Sequence, residues 1–194
     1  MVSKEGIKQA AFELFAEKGY EATSTQDIAE AVGLKKQSLY SHFKSKSEIF
    51  TEVLNDQSTI IQDELKASIE ANQNRPAEAF LKMFFEALIQ SFSAGNRLLF
   101  LKRAILLYAS KSRRPFIEEF ILKFSGTLKN SLYVVLSTRY GVFTDPKKFQ
   151  TFYSYLMLHV YGYIEIMLTG EADECFYPYV WEKFWKSSEA FFIF

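Results

Sequence analysis

Side chains suited to contact with double-stranded DNA are concentrated between positions 33 and 47. This stretch carries four lysines, Lys35, Lys36, Lys44 and Lys46, and no acidic residue. Gln37 lies among them, and glutamine can pair bidentately with adenine, whereas lysine reaches phosphate oxygens. Lysines are also common on solvated helices, so the meaning of this cluster depends on the elements that position it.

Two short helices joined at a glycine would position these side chains. Ser24 and Asp27 have the spacing of a capping box, which starts a helix, and Gly33 supplies the positive φ of a tight corner. Leu39 and Phe43 lie one turn apart and anchor a second helix to the core. The pattern predicts a helix-turn-helix. The outward face of its second helix then comprises Gln37, Tyr40, Ser41 and Lys44, flanked by Lys36 and His42.

The whole sequence predicts an all-α protein of about nine helices. Prolines open, and glycines close, stretches with apolar residues every three or four positions, and no alternating β-branched run supports a strand. Short helices give way to long ones near position 46, so we expect a helix-turn-helix domain over 1–45 and a larger helical domain over 46–194. The predicted helices span 3–18, 25–32, 36–43, 46–72, 76–94, 97–110, 115–140, 146–169 and 177–193.

Composition argues against several classes of function. The 194 residues include one cysteine, Cys175, and two histidines, so neither a disulfide framework, a metal site nor a cofactor is expected. No catalytic grouping is indicated, and we do not expect an enzyme. The chain lacks a signal peptide and an apolar run of about 20 residues, so we expect a cytoplasmic protein without a membrane span. The 23 basic and 23 acidic residues cancel, and only the lysine cluster points to nucleic acid.

Aromatic residues are concentrated in the last quarter of the chain, where positions 149–194 hold 15 of the 33. Their heptad-like spacing in the eighth helix is typical of a bundle seam. We expect a homodimer through the last two helices, with a two-fold four-helix interface. The alternative is that one chain folds this seam into its own core. The seam comprises Phe149, Tyr153, Leu156, Val160, Tyr163 and Met167, and the last helix adds Val180, Trp181, Phe184, Trp185, Ser188 and Phe191.

Residues 3–54 resemble the N-terminal domain of the tetracycline-repressor (TetR) family. The resemblance implies a homodimeric transcriptional regulator, usually a repressor, that binds a palindromic operator and is released by a small molecule bound in the C-terminal domain. The matching motifs are Ala11-Phe12-Glu13-Leu14-Phe15, Gly19-Tyr20, Thr23-Ser24, Asp27-Ile28-Ala29, Gly33-Leu34, Leu39-Tyr40 and Phe43-Lys44-Ser45-Lys46. The DNA contacts expected from the resemblance and the residue types together are Thr23, Ser24, Thr25, Lys35, Lys36, Gln37, Ser38, Tyr40, Ser41, His42, Lys44 and Lys46.

Two departures from the family pattern bear on DNA reading. Lys35 stands where family members often have a Ser or Thr cap, so the second helix of the motif starts without that cap. No arginine precedes Arg75, and arginine is the commonest reader of guanine. We therefore expect an operator that relies little on guanine contacts.

The effector site is the least specified part of the sequence. The candidates are Arg103, Tyr108, Tyr155, His159 and Tyr163, and their aromatic surroundings favour an apolar or planar molecule. Arg103 could equally lie on a solvated ridge, and His159 could be a hydrogen-bonded core residue. A helical small-molecule-binding or interaction protein that has lost specific DNA reading remains the alternative function.

Overall fold

The computed structural model describes residues 2–107, 114–169 and 176–192. Within them the chain forms nine α-helices and no strand, which confirms the all-α prediction. The helices are α1 Lys4–Lys18, α2 Thr25–Ala31, α3 Lys36–Leu39, α4 Lys46–Asn72, α5 Ala77–Ser93, α6 Arg97–Leu106, α7 Arg114–Thr138, α8 Pro146–Thr169 and α9 Phe176–Ser188, followed by a 3-10 turn over Glu189–Phe191.

The third and ninth helices end four and five residues earlier than predicted, and in both a serine hydroxyl bonds a helix carbonyl near the end. α3 stops at Leu39 because the chain tightens into a turn, in which the Ser41 hydroxyl donates to the Ser38 carbonyl at 2.7 Å. α9 stops at Ser188, whose hydroxyl donates to the Phe184 carbonyl at 2.7 Å. Such local bonds offer the backbone an alternative to the helical ladder. Positions 108–110 of the sixth predicted helix lie outside the described residues.

The first compact unit comprises Met1–Ile61 and Phe92–Phe124. Its core is aromatic: Phe50 contacts Phe15, Tyr20 and Phe100, with ring centroids 4.9–5.8 Å apart. Burying rings of this size contributes about 1.5–3 kcal/mol each to stability. α6 packs against α1 in this unit. The unit therefore holds the helix-turn-helix on a scaffold of α1, the first half of α4, and α6.

A hydrogen bond on each side ties the start of α6 into this scaffold. The Asn96 amide donates to Glu13 Oε2 on α1 at 2.6 Å, and Arg97 Nε donates to Gln57 Oε1 on α4 at 3.0 Å. Arg97 is buried, and a buried guanidinium needs such partners. The sequence alone did not indicate these pairings, which join positions 40 and 83 residues apart.

The second compact unit comprises Gln62–Ser91 and Ser125–Phe194. Phe143 lies at its centre, with its ring 4.8 Å from that of Phe152 and 5.5 Å from that of Phe149. Its φ of 64° lies in the left-handed region, which costs a bulky residue about 1–3 kcal/mol. Complete burial of the ring, which is 3% exposed, offsets that strain.

Four of the six residues of the predicted α8 seam are buried within their own unit, which agrees with the alternative that one chain folds this seam into its core, while a dimer through the last two helices stays a prediction. Phe149, Tyr153, Leu156 and Val160 are 0–6% exposed, because this face of α8 packs within its own unit. In the last helix, Trp181, Phe184 and Ser188 are likewise buried within the chain. A dimer through these helices would have to use another face of them.

The compact units do not coincide with the predicted division of the chain at 45/46. The first unit also takes in the beginning of α4, α6 and the first part of α7. That residues 1–45 form a domain of their own stays a prediction. No helix in the described ranges is long and apolar enough to cross a membrane.

Candidate nucleic-acid interface

The helix-turn-helix begins with a complete capping box at α2. The Asp27 amide donates to Ser24 Oγ at 3.1 Å, and the Ser24 amide donates to Asp27 Oδ2 at 2.7 Å. The bonds from the backbone and hydroxyl of Ser24 hold the pKa of the Asp27 carboxyl below its usual range. Each bond satisfies an amide that the helix itself leaves unpaired. The predicted start of α2 is therefore confirmed.

The corner between α2 and α3 is set by Gly33. Its φ of +69° is strained for most side chains, and it lets the Leu34 amide donate back to the Ala29 carbonyl at 2.8 Å. Ile28 and Ala29 are both 0% exposed. The small Ala29 thus lies at the inner side of the corner, as the sequence indicated.

α3 is short, but a hydrogen-bonded turn continues its path to Phe43. The Lys35 side chain makes no cap bond, as its residue type predicts. Beyond the helix, the His42 and Phe43 amides both donate to the Leu39 carbonyl, at 3.0 and 3.1 Å. Leu39 and Phe43 are 1% and 2% exposed, so both ends of this segment are anchored in the core.

Anchoring Leu39 and Phe43 turns the predicted contact residues of this segment outward. Tyr40 is 47% exposed although it is a large aromatic residue. His42 is half-buried. The Ser41 hydroxyl donates to Ser38 and can still accept a hydrogen bond. The exposed members of the predicted set are Ser24, Lys35, Lys36, Gln37, Ser38, Tyr40, Ser41 and Lys44, while Thr25 is half-buried.

Thr23 does not reach the surface. It is 0% exposed, and its single hydroxyl hydrogen is shared between the Gly19 carbonyl at 2.8 Å and the Leu14 carbonyl at 3.2 Å. These bonds close the turn between α1 and α2. The structure therefore gives this side chain an internal role, in contrast to the phosphate contact expected from the sequence.

Lys46 is half-buried and also points at the turn between α1 and α2. Its ammonium donates to the Tyr20 and Thr23 carbonyls, both at 2.7 Å, and lies 4.3 Å from the centre of the Tyr20 ring. The first residue of α4 thus holds the segment that leads into the Ser24 cap. A cation bonded to two carbonyls and a ring face is a strong local anchor.

Two lysines of α1 join this helix to α4, and neither pairing could be predicted from the sequence. Lys4 Nζ lies 2.5 Å from Glu52 Oε1 and 4.7 Å from the centre of the Phe43 ring. Lys8 pairs with Asp56 at 2.6 Å. Burial lowers the pKa of Lys8, but the hydrogen bonds to Asp56 and Glu5 together outweigh this effect, so the pKa lies above its ordinary value. Lysine and acid stand 48 positions apart in both pairs, beyond the reach of any periodicity argument.

The described members of the predicted effector set fall in both compact units, with Arg103 in the first and Tyr155, His159 and Tyr163 in the second. The guanidinium of Arg103 lies against the turn at Gly19, where an added Cβ would be 3.3 Å from Nη1. Tyr108 lies outside the described residues. Tyr155, His159 and Tyr163 follow one face of α8 in the second unit, and their role in ligand binding stays a prediction.

That face of α8 packs against α9. The His159 ring lies 5.4 Å from that of Phe184, and Tyr163 meets Tyr177 at 5.8 Å. His159 Nδ1 donates to the Tyr155 carbonyl at 2.9 Å, since a carbonyl oxygen can only accept. These contacts agree with the core interpretation of His159. Among the described residues, no cluster of three His, Cys, Asp or Glu could hold a metal ion.

The amino-acid sequence is similar to known transcriptional regulators. The family model "Bacterial regulatory proteins, tetR family" matches residues 7–53. The biofilm operon icaADBC HTH-type negative transcriptional regulator IcaR of Staphylococcus aureus is 32% identical over 148 residues, which cover 75% of this chain and 71% of that protein. The HTH-type transcriptional repressor KstR2 of Mycolicibacterium smegmatis is 43% identical over 53 residues, 27% of this chain and 26% of that protein.

The fold is also similar to solved structures. A TetR family transcription regulator from Marinobacter aquaeolei VT8 superposes with a TM-score of 0.70, covering 94% of this chain and 93% of that one at 16% identity. At this identity the likeness bears on the fold alone. It extends the similarity beyond residues 7–53 to the helices that follow.

Proposed function

Because this chain belongs to the TetR family of DNA-binding transcriptional regulators, we propose that it is a repressor that binds a palindromic operator and is released by a small apolar or aromatic molecule. Regulators of this family bind operator DNA and small-molecule effectors and act as dimers. The similarity to a negative transcriptional regulator, IcaR, supports repression. The family assignment also agrees with the prediction that the chain is not an enzyme.

The observation that carries the proposal is the outward surface from Lys35 to Lys44. It is free of acidic residues, it is exposed, and two buried anchors hold it rigidly. Such a surface can enter the major groove, with Gln37 facing a base edge and Lys36 and Tyr40 facing phosphate. The proposed contacts are Ser24, Thr25, Lys35, Lys36, Gln37, Ser38, Tyr40, Ser41, His42 and Lys44.

In this proposal Thr23 and Lys46 do not contact DNA but hold the turn between α1 and α2 in place. Lys46 bonds the Tyr20 and Thr23 carbonyls, and Thr23 bonds the end of α1. Together they fix the turn that precedes Ser24. Ser24 caps α2, so the position of this turn sets the position of the helix start. They are positioning residues, and their substitution would act on affinity through the shape of this turn.

The dimer would use the exposed face of α8. Leu158 and Tyr161 are 66% and 52% exposed, and among the described residues no atom beyond the local helix lies within 4 Å of a Cβ placed on Gly162. The glycine would leave room for a second helix, and the two large apolar side chains would be buried against it. A palindromic operator has two half-sites and therefore requires two copies of the reading surface, which a dimer supplies.

Effector control would pass through α6 in the first unit. Asn96 and Arg97 bond α6 to Glu13 and Gln57, so a displacement of α6 would act on α1 and α4 together. If the ligand binds more tightly to the conformation with α6 displaced, it shifts the population of the protein toward that conformation and away from the one that binds DNA.

The test is binding to the promoter next to the chain's own gene, measured at several salt concentrations. Phosphate contacts make log K fall linearly with log salt. Lys36→Ala should weaken binding and lower the slope by about 1 for each half-site. Lys66→Ala, which removes an exposed lysine of α4, is the matched control and should change neither quantity. Equal binding by both variants and the wild type would contradict the proposal.

A further inference from the structure

A groove between α7 and α8 in the second unit has the size of a small-molecule site. Its volume is about 320 Å³, at the lower end of ligand pockets, which span about 300–1,000 Å³. It is lined by Gly126, Lys129, Asn130 and Tyr133 of α7 and by Pro146 and Phe149 of α8. None of these residues belongs to the predicted effector set.

Gly126 keeps this groove open. It lies in the interior of α7, where glycine costs about 0.5–1 kcal/mol relative to alanine. Beyond the local helix, no atom of the described residues lies within 4 Å of a Cβ placed on Gly126, so their packing does not require a glycine here. The bare backbone leaves room for an occupant instead.

The walls combine aromatic rings with a cation. The rings of Tyr133 and Phe149 meet at 4.9 Å, and Phe149 is 2% exposed, so it forms an apolar floor. Lys129 is half-buried and donates to the amide oxygen of Gln150. A neutral amide is a weaker partner for an ammonium than a carboxylate is, so an anionic ligand would replace it readily.

No acidic side chain is among the six described residues that line the groove. Asp145, which precedes Pro146, accepts the Lys147 amide N–H at 2.9 Å as the cap of α8. The side chains that face a ligand therefore offer one ammonium, one amide, and aromatic surface.

We propose that this groove is a binding site for a planar aromatic carboxylate, with the ring against Tyr133 and Phe149 and the carboxylate on Lys129 and Asn130. The site goes beyond the proposed function, because binding there does not depend on DNA. Charge-assisted hydrogen bonds from the ammonium would orient the ligand, and the rings would supply the apolar contact.

The test uses 2-naphthoate as the probe and isothermal titration calorimetry on the full chain without DNA. Wild type should bind 2-naphthoate, and 2-naphthamide, which lacks the charge, should bind about tenfold more weakly. Lys129→Met should weaken binding of 2-naphthoate about ten- to a hundredfold. Lys148→Met removes an exposed lysine outside the groove and should leave the affinity unchanged.

Gly126→Leu is the second variant, since leucine favours a helix and would fill the groove. It should abolish binding while the thermal midpoint stays equal or rises, which separates occupancy from unfolding. Absence of binding to wild type at millimolar probe, or equal affinity in wild type, Lys129→Met and Gly126→Leu, would overturn the proposal. A chain that fails to bind DNA would still give either result, so the two proposals fail separately.

Discussion

Replacing Thr23 by valine separates an internal role of this residue from a contact with DNA. Valine keeps the branched shape and volume but removes the hydroxyl that donates to Gly19 and Leu14, at 2.8 and 3.2 Å. Because the residue is 0% exposed, water cannot replace the lost donor. Losing a buried hydrogen bond costs about 1–3 kcal/mol. Thr23→Ser keeps the hydroxyl and loses one methyl group, at about 0.8 kcal/mol.

The assay is urea unfolding followed by circular dichroism at one fixed protein concentration, because dimerisation couples stability to concentration. Thr23→Val should lower the free energy of unfolding by about 1–3 kcal/mol, equivalent to about 2–4 °C in Tm for each kcal/mol. Operator affinity, measured where both proteins are folded, should fall much less than in Lys36→Ala. A valine variant as stable as wild type that has nonetheless lost operator binding would refute this reasoning and return Thr23 to the DNA contacts.

Four further predictions address other parts of the chain. Burial raises the pKa of Tyr153 above its ordinary value of 10, and its buried hydroxyl has no hydrogen-bond partner among the residues that the structure describes. Tyr153→Phe should therefore stabilise the protein by about 1 kcal/mol in urea unfolding. The wild type should also lose more stability than this variant as pH rises above 10. Leu158→Glu should yield monomers in light scattering, whereas Val134→Glu on exposed α7 surface should leave the dimer intact. Lys46→Met should weaken operator binding and stability together, and a variant that loses only affinity would argue for a phosphate contact. Operator mutagenesis should show its largest losses at A·T pairs, and dominant losses at G·C pairs would contradict the expected lack of guanine reading.

Local chemistry is what the sequence predicted well. The Ser24–Asp27 box and the positive φ of Gly33 depend on residues within a few positions of each other, and both are present as expected. Burial of Leu39 and Phe43 follows from their spacing of one turn. These four features suffice to place Gln37 and its neighbours on an outward surface.

The hydrogen-bond partners of residues that are distant in sequence could not be predicted from local spacing. The spacing of Thr23 and Lys46 says that they lie near the reading helices, but it does not say which carbonyls they meet. The family pattern pointed them at phosphate, whereas the fold turns both toward the turn between α1 and α2.

The spacing of the α8 seam could not decide between a core and a dimer interface. A 4-3-4 spacing is the same whether the covering helix comes from the same chain or from a partner. The partner therefore had to be read from exposure, which places Tyr153 inside and Leu158 outside.

Selection of bound sequences from random DNA duplexes tests the central claim most directly, because it asks at once whether the chain reads DNA and with what symmetry. The account predicts an enriched inverted repeat whose half-sites lie one helical turn, about 34–36 Å, or a multiple of it apart, and Gln37→Ala should relax the preference at one position in each half. A folded, dimeric protein that enriches no sequence, or one whose selected motif is unchanged by Gln37→Ala and Lys36→Ala, would contradict it.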